Sequence, residues 1–162
     1  MMEQQTQDKS TMVVFSGDLD KAMASFIIAT GAAAMGKQVT MFFTFWGLNI
    51  LRKEEYVNVK KTFMDKMFAK MMPQGPEKLG ISKMNYGGLG AKMMKYTMKK
   101  KNIVTLKELI EMAQDLDVKM VACTMSMDVM GITKEELIDG LDYAGVASYL
   151  ADADESKINL FI

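Results

Sequence analysis

The stretch TMVVFSGDLDKAMASFIIATGAAAMGKQVTMFFT, from Thr11 to Thr44, decides the fold. Thr11 to Ser16 is a short apolar run followed by Gly17, Asp18 and Asp20, the composition of a buried strand that breaks into a helix start. Asp18 stands where an N-cap is expected. Leu19, Ala22, Met23, Phe26, Ile27, Thr30, Ala33 and Ala34 then recur at helical spacing, and Gly36 is placed to stop the helix. Gln38 to Thr44 is β-branched and aromatic and too short for an independent helix. Strand, helix, strand of these lengths implies a parallel pair joined by a right-handed crossover.

The same alternation resumes further along the chain. Thr105 and Glu108 have capping-box spacing ahead of Leu109, Ile110, Met112 and Ala113, and the apolar run Val118 to Cys123 follows as a strand. Thr133 and Glu136 repeat the spacing; Gly140 to Tyr143 reads as a short strand, Gly145 to Ala153 as a helix and Ile158 to Ile162 as a last strand. The expectation is an α/β fold with a mostly parallel sheet of about five strands and helices on both faces. Residues 1–11 read as a flexible tail and 12–162 as one domain. Residues 58–101 read as a Met-rich helical insertion, broken by Pro73, Gly75, Pro76, Gly80, Gly87, Gly88 and Gly90. Its Met stripe is expected to pack as core or against another subunit rather than to bind a soft metal.

Composition excludes several function classes. The 20 basic and 20 acidic side chains cancel, so no overall field draws the chain to nucleic acid or an anionic membrane. The absence of histidine removes Ser/His and Cys/His catalytic pairs and histidine metal sites; neither a metal nor a cofactor is expected. A single cysteine leaves no intramolecular disulfide and fits a reducing, cytoplasmic compartment. The polar start carries no secretory pattern, and no apolar run is long enough to span a bilayer.

The chemistry that remains centres on Cys123, at the carboxyl end of a predicted strand, where open α/β sheets place reactive groups. If the following residues turn into a helix, free backbone N–H groups there would stabilise a thiolate. The competing reading is a small buried hydrophobe. Ser16, Gly17 and Asp18, at the first strand-to-helix turn, are candidates to cradle an anion, or Asp18 simply caps its helix. TFWGLN, from Thr44 to Asn49, follows the second strand, and Trp46 either walls a pocket or fills core.

Three stretches together carry a resemblance: SGDLDKAMASFIIATGAAAMGKQVTMFFTFWGLN (16–49), ACTMSMDVMGI (122–132) and the ending YAGVASYLADADESKINLFI. They resemble the DsrE/DsrF-like family, in the subgroup often labelled peroxiredoxin-like, over nearly the whole chain. The resemblance implies a flavodoxin-like sheet, a homo-oligomer such as a trimer or hexamer, and a cysteine, at the place of Cys123, that accepts and passes on sulfane sulfur. Donor and acceptor proteins or small thiols would be the partners. Relay members tend to place basic residues after the cysteine; here Thr124, Met125, Ser126, Met127 and Asp128 follow. Peroxide reduction would need an external resolving thiol.

The leading expectation is therefore a sulfur carrier holding a persulfide on Cys123, its pocket lined by Ser16, Gly17, Asp18, Thr44, Phe45, Trp46, Asn49, Thr124 and Met125. The alternative is a module that binds a small anion, nucleotide or coenzyme A without turnover, or a structural subunit of a sulfur-metabolism complex.

Overall fold

In the computed structural model, which describes residues 8–162, the strands Lys9–Val14 (β1), Gln38–Phe43 (β2), Lys119–Cys123 (β3), Asp142–Ala144 (β4) and Ser156–Phe161 (β5) form one parallel sheet. Their spatial order is β4-β3-β2-β1-β5. The helices are Leu19–Ala34 (α1), Phe63–Met71 (α2), Leu89–Lys100 (α3), Leu106–Asp115 (α4), Thr124–Met130 (α5) and Val146–Asp154 (α6).

The strand order dictates where the helices lie. Steps from β1 to β2, β3 and β4 all move the same way across the sheet, so right-handed crossovers put α1, α4 and α5 on one face. The return from β4 to β5 runs the other way and puts α6 on the opposite face. Side-chain alternation matches this division. Met12, Val14, Met41, Phe43, Met120 and Ala122 point into the main core with Phe26, Leu109, Ile110 and Met127. Phe42, Val121 and Cys123 point the other way, where, among the described residues, the hydrophobic side chains of Ala144 and Tyr149 pack on them. Helices cover both faces, as expected, but unequally.

Several boundaries shift from the sequence expectation. Of the expected tail, residues 1–7 lie outside the described residues, while Lys9, Ser10 and Thr11 belong to β1. Pairing with Gln38 and Ser156 on either side extends Lys9, which apolarity alone does not signal. At the other end β1 ends at Val14, and the Phe15 and Ser16 N–H groups both donate to the carbonyl of Ile162. Gly36 ends α1 with φ +83°, and the Thr105–Glu108 capping box opens α4 with both reciprocal bonds present.

The Met-rich stripe does not pack as core of this chain along α2. That helix has no buried residue, and Phe63, Met64, Met67, Phe68 and Met71 are all exposed, because α2 stands off the sheet behind α5. In α3 only Ala91 and Met98 are buried. No helix among the described residues is long and apolar enough to cross a membrane.

Candidate functional site

The carboxyl ends of the parallel strands gather the turns in which the sequence places its candidate residues. Two of these turns touch backbone to backbone. The Gly47 N–H donates to the Phe15 carbonyl at 2.9 Å, and the Thr44 N–H to that of Val14 at 3.1 Å. A Cβ on Gly47 would lie 2.0 Å from the Val14 carbonyl oxygen, and one on Gly17 2.6 Å from that of Trp46. Only glycine fits at these contacts. Between them Phe45 is held at φ +47°, a left-handed conformation that costs a phenylalanine about 1–3 kcal/mol and persists because both flanking contacts fix it.

Cys123 ends β3 and occupies the N-cap position of α5, so the residues after it do turn into a helix. Its sulfur makes no capping hydrogen bond. It is 3% exposed and packs with Phe42, Val121, Ala144 and Tyr149. The cover over this cluster is α6, which has no buried residue of its own. Tyr149 reaches down to Phe42, ring centroids 5.3 Å apart. Asp152 accepts hydrogen bonds from Lys119 at 3.1 Å and Thr40 at 3.4 Å. These contacts, with Ser156 Oγ donating to the Asp152 carbonyl at 2.7 Å and Asn159 Nδ2 to that of Ala153 at 3.3 Å, hold α6 over the thiol.

One register step beyond the Phe43–Ala122 pair, Thr44 lies beside Cys123 across the sheet. The Thr44 hydroxyl meets the Ser126 hydroxyl at 2.6 Å, and Ser126 is fully buried. This bond staples the first turn of α5 to the end of β2 and fixes the backbone that carries Cys123. The Thr44–Ser126 pair was not visible from the sequence, because Ser126 reads as one polar residue among methionines. Thr124 is half-buried and Met125 exposed on the same turn.

The other expected residues are used differently. The Ser16 hydroxyl donates to the Asp18 carboxylate at 2.9 Å, and that carboxylate also pairs with Lys21 at 3.2 Å. The Leu19 N–H at the start of α1 donates to the Gly80 carbonyl at 2.7 Å. A carboxylate and a carbonyl oxygen, both acceptors, thus stand at this helix start. Asp18 does sit at the N-cap, though its side chain makes no capping bond. Trp46 is about half-exposed and Phe45 packs at the edge of the main core against Phe15. Asn49 is buried on the far side of this turn, where its carbonyl accepts from the Gly75 N–H at 3.1 Å, so it belongs to the junction with the insertion.

The model of the DsrE/DsrF/DrsH-like family matches residues 6–161. The chain belongs to this family. It is 61% identical over 161 residues to the uncharacterized protein YrkE of Bacillus subtilis, covering 99% of this chain and 100% of that protein. It is 39% identical over 160 residues to the sulfur carrier protein DsrE2 of Allochromatium vinosum, covering 96% and 99%. Among solved structures, a protein of unknown function, MTH1491, from Methanobacterium thermoautotrophicum superposes with TM-score 0.54 at 11% identity, over 96% of this chain and all of that one. The ychN protein of E. coli gives TM-score 0.54 at 9% identity, over 95% and 99%. At such identities these two share the fold.

Proposed function

We propose that this chain is a sulfur carrier in which Cys123 holds sulfane sulfur as a persulfide. The observation that supports it most directly is the placement of the chain's one thiol at the carboxyl end of β3, in a chain that matches a sulfur carrier protein over nearly its full length. The Cys123 thiolate attacks the outer sulfur of a donor persulfide; a new S–S bond forms, the donor S–S bond breaks, and the donor leaves as a thiolate. An acceptor thiolate then attacks the outer sulfur on Cys123, and Cys123 leaves as a thiolate. No electrons are gained or lost overall, so neither a redox cofactor nor a second cysteine is required.

Because the sulfur is buried, transfer needs the cover to open. The thin contacts of α6 make that segment the gate, and opening presents Cys123 beside Thr44, Thr124 and Met125. The exposed apolar groups around this face, Phe15, Trp46, Val146, Leu150 and Phe161, suit it to a second copy of the chain or a partner carrier in the cytoplasm.

Intact-mass spectrometry tests the reading. After brief exposure to glutathione persulfide or thiosulfate, the protein is expected to gain one or more sulfur masses, lose them to a thiol reductant, and gain none as Cys123→Ser. The burial of Cys123 also favours a second reading, a subunit with an inert thiol. No adduct from any donor, together with a thiol that resists alkylation until the protein unfolds, would establish that one instead.

A further inference from the structure

Away from Cys123, behind α5, the chain builds a cavity of about 490 Å³ between its body and the segment that carries α2. Its origin is local. Residues 51–53 pair antiparallel with 136–138, through Lys53 N–H to the Glu136 carbonyl at 2.8 Å and Ile138 N–H to that of Leu51 at 2.9 Å. The pairing sets Arg52 and Glu136 side by side. Lys61 closes on the Glu136 carboxylate at 2.6 Å, and that carboxylate also accepts the Thr133 N–H at 2.8 Å. Gln74 ties the rim, donating to the carbonyls of Lys53 and Glu55.

The charges in this cavity do not balance. Arg52, Lys61, Lys66, Lys70 and Lys78 line it against the single carboxylate of Glu136. Glu136 is already satisfied by Lys61 and Thr133, and it stands 3.8 Å from Arg52. Arg52 is 2% exposed, its Nη1 reaches the carbonyls of Ala69 and Pro73 only at 3.4 Å, and its buried Nε has no hydrogen-bond partner. Lys66, Lys70 and Lys78 make no ion pair with any described residue. An unbalanced buried cation is costly, and an anion in the cavity removes the cost. Burial alone also pulls the Arg52 guanidinium below its ordinary value, with Glu136 opposing.

We propose that this cavity binds an organic phosphate, whose oxyanion is held by Arg52 with Lys66 and Lys70 and whose less polar body lies against Tyr56, Val57 and Val59. Guanidinium and ammonium groups lining one cavity suit phosphate oxygens. The volume favours an organic ligand, since it is several times that of a bare tetrahedral oxyanion and falls in the range of small-molecule sites. This site is independent of the sulfur reading, because it uses neither the thiol nor the turns around it.

Calorimetric titration of the full-length protein at low and physiological ionic strength, with ADP, glucose 6-phosphate and inorganic pyrophosphate as probes, tests the proposal. At least one of the two organic phosphates is expected to bind one per chain and more tightly than pyrophosphate. Lys66→Gln/Lys70→Gln, two exposed changes that leave the fold intact, should weaken it roughly tenfold or more. Cys123→Ser should bind unchanged, which separates failure here from failure of the sulfur carrier. Absence of saturable binding by both organic probes, or affinity indifferent to the lysine pair, would overturn the site. Pyrophosphate binding as tightly as the organic phosphates would overturn the organic ligand. Arg52→Lys reports on the buried contact; since it can unfold the protein, the lysine pair is the deciding variant.

Discussion

The two faces of the sheet were built to different standards. On one, three helices bury Phe26, Phe43, Met12, Met41 and Met120 to near-zero exposure. On the other, one short helix without a buried residue leans on Phe42, Val121 and Cys123. Adjacent residues of one strand, Phe42 and Phe43, therefore live in different energetic settings. Stability resides on the thick face, and the thiol sits under the thin one, where local opening is least costly.

The largest test of that contrast is to empty each face in turn. Phe43→Ala leaves a cavity walled by three helices and should cost about 3–5 kcal/mol. Phe42→Ala should cost at least about 1 kcal/mol less, because α6 can settle into the space. Equal losses in chemical denaturation would mean that the faces are equally rigid and that the gate does not exist.

A second test loosens the cover without touching the core. Tyr149→Ala removes the ring over Phe42 and should speed alkylation of Cys123 by roughly tenfold, an opening made about 1.4 kcal/mol easier. Global stability should fall by less than the Phe43→Ala change. If the rate rises only in step with global unfolding, the thiol is reached through unfolding rather than through α6.

A third test addresses the staple. Ser126→Ala leaves the Thr44 hydroxyl without its partner and should cost about 1 kcal/mol. Ser126 is a positioning residue, so the informative readout is the persulfide yield on Cys123 at full folding, with Ser126→Thr as the conservative variant that restores the hydroxyl. A loss of stability with an unchanged yield would make the bond purely structural.

The parts that were legible in the sequence are those with strong periodicity. Residues 11–44 announce strand, helix and strand, and the capping box at Thr105 announces α4, because apolar spacing and caps are local signals. Two kinds of feature escaped. Lys9 and Ser10 are polar yet stranded, since pairing on both sides outweighs composition. The unequal faces follow from strand order, a property of the whole sheet that no window of sequence contains. Cys123 was found through its place at a strand end, but whether it is open or covered depends on α6, which comes later in the chain. Arg52, Lys61 and Glu136 are far apart in sequence and meet only through the pairing of residues 51–53 with 136–138, so no spacing advertises their cavity.

The smallest expected effect lies far from both the thiol and the cavity and sharpens the thick face. Burial would raise Asp20, but the Ser82 hydroxyl and N–H, together with the backbone N–H groups of Asp20 and Lys21, outweigh it and hold this carboxyl below its ordinary 3.8. A carboxyl depressed in the folded state binds fewer protons there than in the unfolded chain. Its contribution is therefore present above about 3.8 and disappears as the pH falls through the folded value beneath it. Asp20→Asn should lower stability by roughly 0.5 kcal/mol near neutrality, because the amide keeps one acceptor for Ser82. The gap between variant and parent should close on acidification below 3.8, which urea titrations at stepped pH can follow. A gap that stays constant down to the acid transition would mean that Ser82 holds the start of α1 by shape rather than by charge, alongside the Leu19–Gly80 bond.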